Sequence, residues 1–107
     1  MAGKPVTVKL TSTSAVTIDP WVVEISKIAK DSIKWQGRGC RIRIEPDHPE
    51  HFSPELPQEY DKTVKGAFAA DVPLGTHHYQ ISVLELEKKG SYKLRVYRID
   101  PDYKVDR

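Results

Sequence analysis

The stretch that decides the fold class is Gly90-Ser91-Tyr92-Lys93-Leu94-Arg95-Val96-Tyr97. Apolar and polar residues alternate along it, which is typical of a β-strand with one buried face. We expect the three apolar side chains to point into a core, namely Tyr92, Leu94 and Val96. The two cations, Lys93 and Arg95, should point outward. A strand of this kind belongs to a sheet with one solvated side, so the stretch favours an all-β fold.

Short strands of the same character recur along the chain, separated by turns that contain glycine or proline. The predicted strands cover residues 5–10, 15–18, 21–25, 33–35, 40–44, 63–70, 78–83 and 90–97, and a last short strand over residues 103–105 stays open. In the strand over residues 78–83 we expect Tyr79, Ile81 and Val83 to point inward. Residues 45–61 contain four prolines and predict an extended excursion, with one helical turn near residues 54–56. The pattern therefore predicts a Greek-key β-sandwich of seven to eight short strands, forming a single domain over residues 1–107.

Three aromatic residues and one proline indicate how these strands are arranged. We expect Trp21, Trp35 and Tyr92 to lie in or near the core. Pro20 has no amide hydrogen to donate to a neighbouring strand, so it should mark a strand edge or a crossing between the two sheets. The first strand, residues 6–10, is predicted to lie at an exposed edge, where it would offer an interaction surface.

Composition excludes several classes of function. The 17 basic and 15 acidic residues give a net charge of +2, which does not predict a nucleic-acid partner or an anionic membrane surface. No segment approaches the roughly 20 apolar residues of a membrane-spanning helix, and no apolar leader follows Met1. A single cysteine cannot form an intramolecular disulfide. We therefore expect a cytoplasmic protein.

Two features of the chain resemble the cupredoxin family: Ile33-Lys34-Trp35 leading through a loop to Cys40, and the Gly90-Ser91-Tyr92 opening of the closing strand. The resemblance implies a cupredoxin-like or immunoglobulin-like sandwich, with Cys40 at the position of a copper histidine and Val96 at that of the copper cysteine. Residues 98–106 contain neither histidine nor methionine. Blue copper requires a thiolate, two imidazoles and usually a thioether. We therefore expect no copper, no other cofactor and no electron transfer.

Two dipeptides carry a second resemblance. Asp19-Pro20 precedes Trp21, and Glu45-Pro46 follows the predicted strand over residues 40–44. Their positions and the length of the chain resemble a small family of bacterial proteins named for paired Asp-Pro and Glu-Pro dipeptides, the DP-EP family. This resemblance implies no activity.

Histidines form the main candidate for a metal site. His48 and His51 lie among carboxylates in the excursion, and His77 and His78 form a second pair. Zinc and nickel both accept imidazole and carboxylate ligands. Pro49 opposes the helical geometry that would align the first two rings. Two interpretations stay open, a divalent-metal site and a solvated loop with incidental histidines.

Cys40 and four cations are the remaining candidates. Alternation places Cys40 on the inward face of its strand, so we expect a buried structural thiol and no catalytic residue. If the strands over residues 40–44 and 92–96 are neighbours, one outer face gathers four cations that require an anionic cover, namely Arg41, Arg43, Lys93 and Arg95. That cover is either internal, from carboxylates such as Glu45, or supplied by an anionic ligand or a partner.

The sequence as a whole predicts a non-enzymatic, copper-free β-sandwich that acts as a binding or assembly module. Its candidate partners are a second copy of the chain or another protein, with no membrane and no nucleic acid. The alternative function is divalent-metal binding by the loop that contains His48 and His51, with His77 or His78 as further ligands.

Overall fold

The computed structural model describes residues 3–10, 15–85 and 96–107. These residues form an all-β sandwich of two sheets, which confirms the predicted fold class. A 3₁₀ helix, Pro49–His51, interrupts the strands earlier than the helical turn expected near residues 54–56. The strands in the described ranges are β1 Gly3–Leu10, β2 Val16–Asp19, β3 Val22–Ser26, β4 Ser32–Arg38, β5 Cys40–Pro46, β6 Thr63–Ala67, β7 Gly75–Glu85, β8 Val96–Ile99 and β9 Asp102–Asp106.

The first sheet has the strand order β2-β1-β4-β6. β1 pairs with β2 in antiparallel fashion and with β4 in parallel fashion. The predicted exposed edge at residues 6–10 is therefore wrong, because both sides of β1 are hydrogen-bonded. Pro20 follows β2 and precedes β3 of the second sheet, so it marks a crossing between sheets as predicted.

The second sheet has the order β3-β9-β7-β5, and β8 also pairs with β7. β8 and β9 lie along the same edge of β7 in one continuous register, from Leu84 opposite Val96 to Gly75 opposite Val105. Pro101 interrupts them because it has no amide hydrogen, although its carbonyl still accepts a hydrogen bond from the amide of Tyr79 at 3.2 Å. Because β8 and β9 are separate strands, the described residues contain nine strands, one more than the seven to eight expected.

β8, the described part of the closing strand, is not a neighbour of β5, because β7 lies between them. Val96 is 47% exposed, so the prediction that it points into the core is wrong. Tyr97 lies opposite the buried Val83 and therefore shares its inward face, which leaves Val96 on the outer face. The predictions for residues 90–95, including Tyr92, Lys93, Leu94 and Arg95, lie outside the described residues.

The core fills the space between the two sheets. Trp35 is buried as predicted, and its indole Nε1–H donates a hydrogen bond to the hydroxyl of Tyr79, 3.0 Å away on the opposite sheet. Trp21 is 49% exposed, which corrects its predicted place near the core, since it lies in the crossing that follows Pro20. The other large, fully buried side chains include Tyr103, Ile25, Ile33, Ile42, Ile44 and Ile81.

The excursion over residues 45–61 connects the two sheets at one margin of the sandwich. It leaves from β5 of the second sheet and then runs beside the end of β6 in the first. The amide of Ser53 donates to the carbonyl of Ala67 at 2.9 Å, and the amide of Ala69 donates to the carbonyl of His51 at 2.8 Å. The 3₁₀ helix is consequently fixed over the seam between the sheets.

One end of the sandwich carries a cleft of about 220 Å³, lined by residues that include Lys4 of β1 and Asp106 of β9. Asp31, which directly precedes β4, also lines this cleft. Its carboxylate accepts a hydrogen bond from the amide of Ser26 at 2.9 Å and lies 3.9 Å from the ammonium of Lys4. The first and last strands of the described chain therefore have their outer ends close together. Within the described ranges, no helix has the length and apolar character required to cross a bilayer.

Candidate metal-binding site

Three histidines meet at the seam between the sheets. The rings of His48 and His51 stack with centroids 4.7 Å apart, and the ring of His77 lies 4.6 Å from that of His51 and 6.2 Å from that of His48. His48 and His51 flank and end the 3₁₀ helix, whereas His77 lies near the start of β7. We refer to His48, His51 and His77 as the histidine cluster.

His51 forms the buried floor of the histidine cluster, with only 6% of its surface exposed. Its Nδ1 lies 2.8 Å from the hydroxyl of Tyr103, a buried residue of β9. Burial lowers the pKa of His51, and the nearby rings of His77 and His48 lower it further. The neutral imidazole is therefore favoured, and this is the form that carries a free lone pair for a metal.

The phase of β7 separates His77 from His78. Alternate residues of a strand point to opposite faces, so only His77 joins the histidine cluster. The Nε2–H of His77 donates a hydrogen bond to the carbonyl of Pro73 at 3.0 Å. The Nδ1 of His78 instead pairs with Asp102, and this carboxylate raises the pKa of His78, first through the hydrogen bond and second through its charge.

His48 and Glu50 form the exposed rim of the site. The Nδ1 of His48 lies 3.2 Å from Oε1 of Glu50, and the two side chains are 54% and 69% exposed. The ligand atoms of His48, Glu50 and His51 all lie within 4.8 Å of one another. A tetrahedral zinc ion at about 2.0–2.1 Å from each nitrogen needs these atoms roughly 3.4 Å apart. Rotation of the two exposed side chains supplies that adjustment.

Each ring of the histidine cluster has one nitrogen engaged by a group outside the cluster. The partners are a carboxylate for His48, a phenolic hydroxyl for His51 and a backbone carbonyl for His77. Metal-ligating histidines commonly hold their second ring nitrogen in this way, which fixes the tautomer and the orientation of the ring. The nitrogens left for a metal are Nε2 of His48, Nε2 of His51 and Nδ1 of His77.

The predicted basic face contains only Arg41 and Arg43 among the described residues, since Lys93 and Arg95 lie outside them. Both arginines are half-buried on the outer face of β5. Arg43 lies 2.5 Å from Glu45 and stacks over the ring of Tyr60 at 5.0 Å. Glu45 also accepts a hydrogen bond from the buried hydroxyl of Ser82 at 3.1 Å. The charge of Arg43 is therefore covered from within the chain.

Cys40 lies inside the sandwich as predicted, with 1% of its surface exposed. Its Sγ lies 3.8 Å from the carbonyl of Val8, and burial raises the pKa of the thiol. A nucleophilic cysteine needs the opposite shift, since the thiolate is the reactive form. The structure therefore gives no support to an enzyme built around Cys40.

Comparison with known proteins finds a distant structural likeness. No family model matches the chain, and no curated protein matches it. The fold is similar to that of the cysteine protease inhibitor EhICP2 from Entamoeba histolytica, with 19% identity and a TM-score of 0.48, covering 79% of this chain and 85% of that one. This likeness carries no inference about function, and the resemblances to the cupredoxin and DP-EP families stay predictions.

Proposed function

We propose that the protein binds a divalent transition-metal ion through His48, His51 and His77. The observation that carries the proposal is the close contact of three imidazole rings from two separate segments, each with one ring nitrogen already hydrogen-bonded. Incidental histidines of a solvated loop have no reason to share this arrangement. The buried position of His51 also distinguishes it from an incidental loop histidine, because burial of an imidazole is unfavourable without partners.

The donor set favours a particular class of ion. Imidazole nitrogen suits zinc, nickel, cobalt and copper, whereas magnesium and calcium prefer oxygen ligands. Glu50 holds Nδ1 of His48, so a water molecule would complete the coordination. The cysteine of the chain is buried elsewhere in the sandwich, so thiolate does not contribute.

Zinc titration of chelator-treated protein by calorimetry tests the proposal. We expect one ion per chain, with loss of binding in His51→Ala and in His77→Ala. His78→Ala is the matched control, because it removes an imidazole from the same strand but from the opposite face. Absence of stoichiometric zinc binding would contradict the proposal, as would equal losses in His77→Ala and His78→Ala.

The binding or assembly role predicted from the sequence stays a second proposal, as does a cytoplasmic location. One observation favours it: Trp21 and Val22 are 49% and 39% exposed at β3, which is an edge strand of the second sheet. Exposed apolar residues beside a strand with one unpaired edge are a common basis of association. Light scattering after size-exclusion chromatography tests this role. A monomer at every protein and salt concentration would contradict homo-oligomerisation.

A further inference from the structure

Tyr103 lies directly beneath the histidine cluster and contacts two of its members. It is fully buried in β9, where its backbone is paired with that of His77. Its ring lies 5.3 Å from the ring of His77 and 6.3 Å from that of His51, and its hydroxyl lies 2.8 Å from Nδ1 of His51. One side chain thus supports both the floor and one wall of the site.

The hydroxyl of Tyr103 engages Nδ1 of His51, which leaves Nε2 as the nitrogen available to a metal. A neutral imidazole carries one N–H and one lone pair, and a metal binds the lone pair. An ion on Nε2 requires the proton of the neutral ring to lie on Nδ1. The hydroxyl oxygen of Tyr103 is placed to accept a hydrogen bond from that Nδ1–H.

We propose that Tyr103 is a positioning residue for the metal site, holding His51 as the Nδ1–H tautomer and fixing its ring so that Nε2 binds the ion. This inference rests on the proposed metal-binding function. Without the hydroxyl, His51 would exchange between tautomers and ring orientations, and binding would first have to select one of them. Loss of such an outer partner typically weakens metal affinity by about 10–100-fold.

Tyr79 provides the matched control for this role. Tyr79 and Tyr103 are both buried, and their rings lie 5.8 Å apart in the same core. The hydroxyl of Tyr79 accepts a hydrogen bond from Trp35, and not from a histidine. Tyr79→Phe and Tyr103→Phe therefore remove the same atom from neighbouring positions, and only Tyr103→Phe removes a partner of the histidine cluster.

The test measures zinc affinity by competition with a chromophoric chelator in the wild type, Tyr103→Phe and Tyr79→Phe. We expect affinity to fall about 10–100-fold in Tyr103→Phe and to change less than about threefold in Tyr79→Phe. Long-range ¹H–¹⁵N spectra of the zinc-free wild type should show the Nδ1–H tautomer of His51, and Tyr103→Phe should show a mixture. A merely structural role for Tyr103 would not change the tautomer.

The outcomes separate this inference from the function on which it rests. A wild type that binds no zinc would overturn both. Wild-type binding with unchanged affinity in Tyr103→Phe, or with equal losses in the two phenylalanine variants, would overturn only the positioning role. If Tyr103→Phe does not fold, the tautomer of His51 in the zinc-free wild type tests the proposal by itself. The Nε2–H form would contradict it.

Discussion

Gly66 of β6 shows how closely single residues are packed between the sheets. A Cβ atom at this position would lie 2.8 Å from Cζ3 of Trp35 and 3.0 Å from Cδ2 of Leu56. The indole of Trp35 is held by its hydrogen bond to Tyr79 and cannot withdraw easily. Overpacking of a core typically costs about 1–3 kcal/mol. We therefore expect Gly66→Ala to lower the free energy of unfolding by this amount, as measured by urea denaturation.

Gly3 supplies the control for this change. It lies in a strand as well, but an added Cβ would meet nothing closer than Oγ of Ser32 at 3.9 Å, which is an ordinary contact. Gly3→Ala should therefore change the unfolding free energy by less than about 0.5 kcal/mol. Similar stabilities for the two variants would show that the space around Gly66 can relax.

His78 gives a prediction about pH at the same scale. Asp102 raises the pKa of His78 above its ordinary value of 6.5, first by a hydrogen bond and then by charge. The folded pKa exceeds the unfolded one, so the pair contributes stability that is fully present below about pH 6.5 and is lost as pH rises through the folded pKa. An NMR titration of chelator-treated protein should place this pKa above 6.5, and Asp102→Asn should lower it. A wild-type pKa at or below 6.5 would contradict the pairing.

At the scale of strands, the hydrogen bond between Trp35 and Tyr79 joins the interior faces of the two sheets. Trp35 of β4 donates to Tyr79 of β7 where water has no access. Tyr79→Phe leaves the indole N–H without this acceptor, and an unsatisfied buried donor costs about 1–3 kcal/mol. We expect a corresponding loss of stability in thermal and urea unfolding. Tyr97→Phe, at a partly buried position, should be nearly neutral, and equal effects would refute the argument.

Strand existence and phase were predictable where alternation was strict and the turns were clear. The strand over residues 40–44 and the strand over residues 78–83 have the predicted inward residues, because a period of two fixes the buried face. The closing strand was assigned the wrong phase at Val96, because its face is set by pairing with β7 and not by its own pattern. The edge position of β1 was also wrong, because the parallel partner β4 lies far away in sequence.

The histidine cluster was only partly predictable for the same reason. His48 and His51 are close in sequence and were named together, whereas His77 and His78 could not be separated by composition. The predicted inward face of Tyr79, Ile81 and Val83 contained the missing signal, since His77 shares its parity. The role of Tyr103 depends on its register with His77 across two strands, and a single sequence does not state that register.

For the whole molecule, a bound metal would fasten the excursion of residues 45–61 to the second sheet. An ion that binds only the folded state stabilises it by about 2.7 kcal/mol at a free concentration of 100 times Kd. For a domain of this size, that amount corresponds to an increase in Tm on the order of 10 °C. Calorimetry with zinc should show the increase in the wild type and in His78→Ala but not in His51→Ala. An unchanged Tm in the wild type under saturating zinc would contradict stabilisation by the site.

The cleft between Lys4 and Asp106 has a consequence for how the domain can be joined to other chains. The outer ends of β1 and β9 line the same cleft and are linked through Asp31 and Ser26. Domains with adjacent ends tolerate circular permutation and insertion into the loops of a host protein. A short glycine linker from residue 106 to residue 3, with a new opening in the exposed segment over residues 57–59, keeps every strand pair intact. We therefore expect a host protein to accept this sandwich as an inserted domain in one of its loops.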